Sequence, residues 1–196
     1  MNERPHAFAS SPLVAARAYY CSGFSVIPLP YASKVPRIAW KEYQSHPASP
    51  SLVERWFGGG RTNIGLIMGA VSDNSIALDF DNPTLARYAL GDLDALAEAT
   101  FVEQTFRGHH VVFRIEGDPV RTTSFAGRGL DLDLKAEGAY IAVAPSTHPN
   151  GTPYKVLSPD LRIARITRNE LNSLLRRLLN RQPPLPGLGL LAGGHP

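Results

Sequence analysis

At 196 residues, 43% of them hydrophobic, the chain suits one domain with a real core, or one domain and a short tail. A net charge of +3 is only mildly basic, so any contact with nucleic acid has to come from local clusters of charge. The single cysteine, Cys21, excludes an internal disulfide and a cysteine-based zinc cluster, no apolar run approaches the roughly 20 residues of a membrane span, and residues 1–11 lack a signal-peptide core, so the chain reads as cytoplasmic.

Residues 1–9 carry no pattern. Ser11-Pro12 reads as a cap followed by the first helical residue, and Leu13, Ala16 and Tyr20 keep helical spacing as far as Gly23. Cys21 falls among Ala and Tyr in this helix and is expected to be a buried small apolar residue. A short strand over 24–29 leads into a loop over 30–47 that carries Lys34, Arg37, Trp40 and Tyr43. Ser49-Pro50 opens a second helix with Leu52, Val53, Trp56 and Phe57 on one face, closed by glycines 58–60. Strands follow at 63–68 and 75–81, then helix over 83–99, interrupted near Gly91 with Asp92 as a second cap. Two strands, 101–106 and 110–115, flank Arg107-Gly108, and two more are expected at 130–134 and 139–144. Asn150-Gly151 signals a tight turn before 154–156. Thr167 to Glu170 is a capping box, and Leu171, Leu174, Leu175, Leu178 and Leu179 follow i, i+3, i+4, i+7, i+8. The composition then shifts to Pro, Gly and Leu, so one domain is expected over 1–182, with 183–196 a tail or linker.

The apolar run Ile76-Ala77-Leu78 ends in Asp79 and Asp81, separated by Phe80. On a strand, residues i and i+2 share a face, so the two carboxylates stand together. Such a pair repels unless a cation sits between its members, and Mg²⁺ or Mn²⁺ suits hard oxygen ligands. The plainer alternative is a solvent-facing strand end entering an Asp-Asn-Pro turn. The strand 130–134 repeats the pattern, with leucines on one face and Asp131 and Asp133 on the other. Three carboxylates around a divalent pair would suit phosphoryl or nucleotidyl transfer. Between the acidic strands, Arg107-Gly108-His109-His110 offers a close backbone approach and a histidine in reach of phosphate. Alternation sends His109 and His110 to opposite faces, so at most one enters the site. Without a third histidine or a cysteine at ligand spacing, they do not make a zinc set. The loop 145–151, with Ser146, Thr147 and His148, reads either as a holder for a triphosphate or sugar or as a plain turn. No Walker loop, Rossmann glycine fingerprint or nucleophile elbow is present.

In order and spacing, these motifs resemble the bifunctional DNA primase/polymerase N-terminal (Prim-Pol) domain of the archaeo-eukaryotic primase superfamily, over roughly residues 12–157. The likeness begins with Gly23-Phe24 to Pro28, Lys34-Val35-Pro36, Trp56 and Asn63 to Gly69. Asp79-Phe80-Asp81 looks like the family's first motif, His110 before Val111-Val112-Phe113 like its second, and Asp133 ahead of the 138–146 run like its third. Counting back from Tyr140 favours Asp133 over Asp131. The chain departs from the family pattern at Gly108, Ala139 and Ala144.

The resemblance implies an α/β (α+β) fold, a mixed or antiparallel central sheet flanked by helices around an RRM-like catalytic core. It implies a template-directed nucleotidyltransferase, a DNA primase and polymerase replicating a plasmid, phage or integrated element. Asp79, Asp81 and Asp133 would bind Mg²⁺ or Mn²⁺, and His110 would contact the triphosphate of an NTP or dNTP, with Arg107, Lys135, Ser146 and His148 beside it. Lys34, Arg37 and Trp40 would meet a single-stranded or primed DNA template, unless the loop's aromatics merely hold it down. A replicative helicase is the implied protein partner. The competing readings are a non-catalytic DNA- or nucleotide-binding module that recruits a helicase, and a metal-dependent nuclease.

Overall fold

Ser11 accepts the Val14 amide and Pro12 takes the first helical position, so α1 (Pro12–Cys21) starts where the sequence predicts. Its buried stripe is Ala15, Ala16 and Tyr19, one residue round from the predicted one. Cys21 lies about 200° round the axis from Tyr19 and is exposed, against expectation. β1 (Ser25–Pro30) follows, then a 3-10 turn at Trp40–Gln44, α2 (Pro50–Phe57), β2 (Thr62–Ile67), β3 (Ser75–Phe80), α3 (Pro83–Leu90) and α4 (Leu93–Ala97). The remainder comprises β4 (Val102–Gln104), β5 (His109–Ile115), β6 (Thr123–Ser124), β7 (Leu132–Lys135), β8 (Tyr140–Val143), β9 (Lys155–Val156), β10 (Arg165–Ile166) and α5 (Arg168–Leu179). β6 and β10 have two residues each, too few for alternation to show in the sequence. The computed structural model describes residues 11–180, so the readings of 1–9 and of the tail at 183–196 lie outside the described residues.

The fold is mixed α+β, but its strands divide between two sheets where one was expected. β1-β2-β8 form a three-stranded antiparallel sheet. The larger sheet runs β6-β7-β3-β5-β4-β9, antiparallel throughout, with β10 added parallel to β5. The division arises at Gly69, whose φ of 90° lets the chain leave β2 through a 3-10 turn and enter β3 in another sheet.

Alternation decides which face of the larger sheet does what. Ile76, Leu78 and Phe80 of β3, Val111 and Phe113 of β5, and Leu132 and Leu134 of β7 face Leu90, Leu93, Leu171 and Leu174 of the helices. Each such fully buried side chain contributes about 1.5–3 kcal/mol. The opposite face packs Ala77, Val112 and Phe101 against α1, α2 and the small sheet. At one end of that face the apolar residues give way to charge. β3 stops there because Asn82 accepts the Thr84 and Leu85 amides and Pro83 begins α3. The predicted Asp-Asn-Pro turn is therefore real, and it leaves Asp79 and Asp81 at the strand's end. Among the described residues no helix is long and apolar enough to cross a membrane.

Candidate active site

Strand pairing sets Glu103, His110, Asp79, Asp133 and Ser124 side by side, one from each of β4, β5, β3, β7 and β6. Directly opposed residues of antiparallel strands stand about 4.5–5.5 Å apart at Cβ. His110 Nε2 lies 3.2 Å from Asp79 Oδ1, and Nδ1 lies 2.7 Å from Glu103 Oε1. With a carboxylate at each ring nitrogen, the imidazole is satisfied only when both nitrogens carry protons. Glu103 is fully buried, and its second oxygen accepts the Ala144 amide at 2.9 Å, joining the large sheet to the end of β8. His109 faces the other way, as expected, and its Nδ1 has no hydrogen-bond partner. Burial, with Arg87 and His110 adding to it, pushes its pKa down.

The other carboxylates each hold a cation. Asp133 accepts Lys135 Nζ at 2.6 Å, and Asp81 accepts Arg107 Nη2 at 3.0 Å. Asp81 continues the β3–β7 ladder through its amide, which donates to the Asp131 carbonyl. Asp131 itself is exposed, and Asp133 stands opposite Asp79. Among the described residues no three His, Cys, Asp or Glu side chains converge closely enough to hold a metal ion.

A pocket of about 340 Å³ opens from Asp79 and His110 toward Lys135, Tyr140 and Lys34. Tyr140 anchors the first long loop by donating to the Lys34 carbonyl at 2.8 Å, and Trp40 packs edge-on to its ring at 4.8 Å. Tyr43 packs edge-on to Trp56. The loop is thus held down by its own aromatics. Lys34 and Trp40 line the pocket, while Arg37 is exposed and outside it. Ser146 and His148 are not brought to the pocket. The buried Ser146 hydroxyl accepts the Ile64 amide of β2, and His148 stacks on Phe106. Tyr154 does line it, stacked on His110, and burial together with Glu103, Asp79 and Asp81 pushes its phenol well up.

Gly108 closes the turn between β4 and β5. Any Cβ there would run into the Phe80 carbonyl oxygen, so the turn sits directly on the end of β3. Gly108→Ala is expected to cost about 3 kcal/mol, the upper range for overpacking, read as a lower midpoint in urea unfolding. An unchanged midpoint would show that the backbone yields.

A family model for the bifunctional DNA primase/polymerase N-terminal domain, Prim-Pol, matches residues 16–170. The chain belongs to this family. A comparison with curated proteins gives no match.

In this Prim-Pol domain, Glu103 is the site residue that sequence reasoning missed. Its only signal was a carboxylate within the predicted strand 101–106, directly after Phe101-Val102, and such a residue is buried only when paired. Burial opposes the charged form of His110, but the charges and hydrogen bonds of Asp79 and Glu103 outweigh it and raise its pKa to about 9. Burial likewise opposes the Asp79 carboxylate, and His110, Lys135 and Lys34 outweigh it and hold the group below its usual range. A histidine raised on folding contributes stability that is full below its unfolded pKa of about 6.5 and lost as pH rises through about 9. The metal-free Prim-Pol domain is therefore expected to lose on the order of 3 kcal/mol between pH 6.5 and pH 9.5, by urea unfolding in chelator. Flat stability across that window would sink the assignment of a charged His110.

Proposed function

We propose that this Prim-Pol domain catalyses template-directed nucleotidyl transfer, adding NTP or dNTP units to a primer strand or starting one. The observation that carries the proposal is the register. Asp79 stands between Asp133 and His110, at the mouth of a pocket that also holds Lys34 and Lys135. The functional unit is proposed to span 1–182, with 183–196 as tail or linker.

Asp79, Asp81 and Asp133 are the residues that would hold Mg²⁺ or Mn²⁺ once Arg107 and Lys135 release Asp81 and Asp133 and the three carboxylates, which do not converge here, draw together. The donor chemistry fits: all are carboxylates, the hard oxygen ligands that these ions take, and Asp79 and Asp133 share one face. Bound there, divalent ions supply charge neutralisation at the attacking and leaving oxygens of the transfer. The protein's own groups do the rest. His110, held at Nδ1 by Glu103, would exchange Asp79 for a phosphate oxygen at its Nε2–H. Lys135 and Lys34 neutralise the triphosphate from the pocket walls, and Arg107 would exchange Asp81 for a phosphate oxygen. Template contact falls to exposed basic groups such as Arg37.

The decisive experiment incubates the chain with primed single-stranded DNA, labelled dNTPs and Mn²⁺ or Mg²⁺, beside an Asp79→Ala/Asp81→Ala control. Extension that vanishes in the control supports the proposal. One observation favours a second reading, a non-catalytic module that binds DNA and recruits a helicase: Asp81 and Asp133 are already paired with Arg107 and Lys135. DNA binding without metal and without extension would establish it. Degradation of DNA in the absence of nucleotide would assign the carboxylates to a nuclease.

A further inference from the structure

Neither the core nor the proposed chemistry uses Phe106. It is 48% exposed at the tip of the turn between β4 and β5. A lone exposed ring is ordinary, but this one is held, backed and flanked by charge. The turn is held by the Thr105 amide donating to the Gly108 carbonyl at 2.9 Å and the Gly108 amide donating to Thr105 Oγ1 at 3.0 Å. Gly108 lies directly against the Phe80 carbonyl at the end of β3. The ring is backed by His148, stacked at 5.0 Å and 28°, with the imidazole fixed by Asn150 Oδ1 at 2.8 Å. Behind His148 stand Tyr154 and then His110, at centroid spacings of 6.4 and 5.9 Å. The next residue in the turn, Arg107, has a side chain 63% exposed and engages Asp81.

Placement decides what such a surface would take. The pairing of Ala77 with Lys135 puts the lysine pocket on one side of the Asp79–Asp133 rung. Phe106 and Arg107 lie past the other side, beyond the pairing of Phe80 with His109. The triphosphate chemistry therefore sits at one end, and a planar ring beside a cation at the other. An exposed ring followed in the same turn by an exposed arginine suits a nucleobase and its backbone phosphate, and stacking of this kind accepts any base. We infer that Phe106, backed by His148, is a stacking platform for a base of the single-stranded DNA, with Arg107 on the neighbouring phosphate. This rests on the primase–polymerase reading of the site.

The test is fluorescence anisotropy of a labelled single-stranded oligonucleotide, at fixed salt, against wild type, Phe106→Ala and Phe106→Tyr. Phe106→Ala is expected to weaken binding about 10- to 100-fold with an unchanged salt slope, because stacking and not charge is lost. Phe106→Tyr keeps the ring and is expected to bind as wild type does. On an oligonucleotide of abasic sites the gap between wild type and Phe106→Ala should close. Equal binding by wild type and Phe106→Ala, or a gap that persists on the abasic strand, overturns the platform and leaves the enzymatic reading standing. Weakened binding of dNTP alone, with DNA binding intact, also overturns it and moves the platform to the incoming nucleotide. No DNA binding by wild type overturns both readings together.

Discussion

Glu103→Ala is expected to destabilise the protein by about 3–5 kcal/mol, the cost of breaking a buried charged pair, and so to lower Tm by about 6–20 °C. The carboxylate is fully buried, and its two oxygens have separate tasks. One accepts His110 Nδ1, and the other accepts the Ala144 amide. Alanine leaves both donors in the interior without acceptors, along with a cavity. Glu103→Gln separates these causes. It fills the volume, and with its oxygen on the Ala144 amide its NH₂ meets His110 Nδ1, which accepts only when the imidazole gives up its charge. The Gln variant is expected to retain part of the loss, and near-wild-type unfolding of Glu103→Ala would overturn the account. The net worth of the pair against an apolar replacement is a different and smaller quantity.

Asp79→Asn is expected to behave in the opposite way, with primer extension reduced about 10³-fold or more and stability changed far less. The side chain is partly open to the groove, and asparagine keeps its shape and one oxygen toward His110 Nε2. What it loses is charge and half its ligand capacity, between His110 and Asp133. Manganese affinity should fall with activity, which calorimetric titration of the ion would read separately. Extension within about tenfold of wild type, far short of the loss that removing a metal's charge stabilisation implies, would remove Asp79 from the chemistry. Under the expected outcome, neighbours in one row differ in kind, Glu103 for the fold and Asp79 for the reaction.

Much of this was legible in the residues. Alternation alone placed Asp79 and Asp133 away from the leucine core and sent His109 and His110 to opposite faces, because period-2 patterning is a property of one strand, and the family resemblance chose His110. Capping chemistry at Ser11, Ser49, Asp92 and Thr167 marked the helix starts, because a cap is local too. What failed needed two strands at once. Glu103 gains its meaning only from pairing with His110, and the Ser146 hydroxyl is turned onto the Ile64 amide only because β2 lies beside it. The division into two sheets hangs on the φ of a single glycine, Gly69, which no hydropathy pattern records.

The row across β4, β5, β3 and β7 also sets which changes of chain length the domain can absorb. Its members come from one rung of a ladder, so adding or deleting one residue within β3, β5 or β7 slips that strand's register and sends its site residue to the opposite face. His109 would then replace His110, or Phe80 would replace Asp79, and the helices would lose an apolar contact in the same stroke. Length variation in related chains is therefore expected in the connections, such as 30–39 or 116–122, and not inside these strands. A frame of this kind lets the surroundings of the groove change while its floor keeps count.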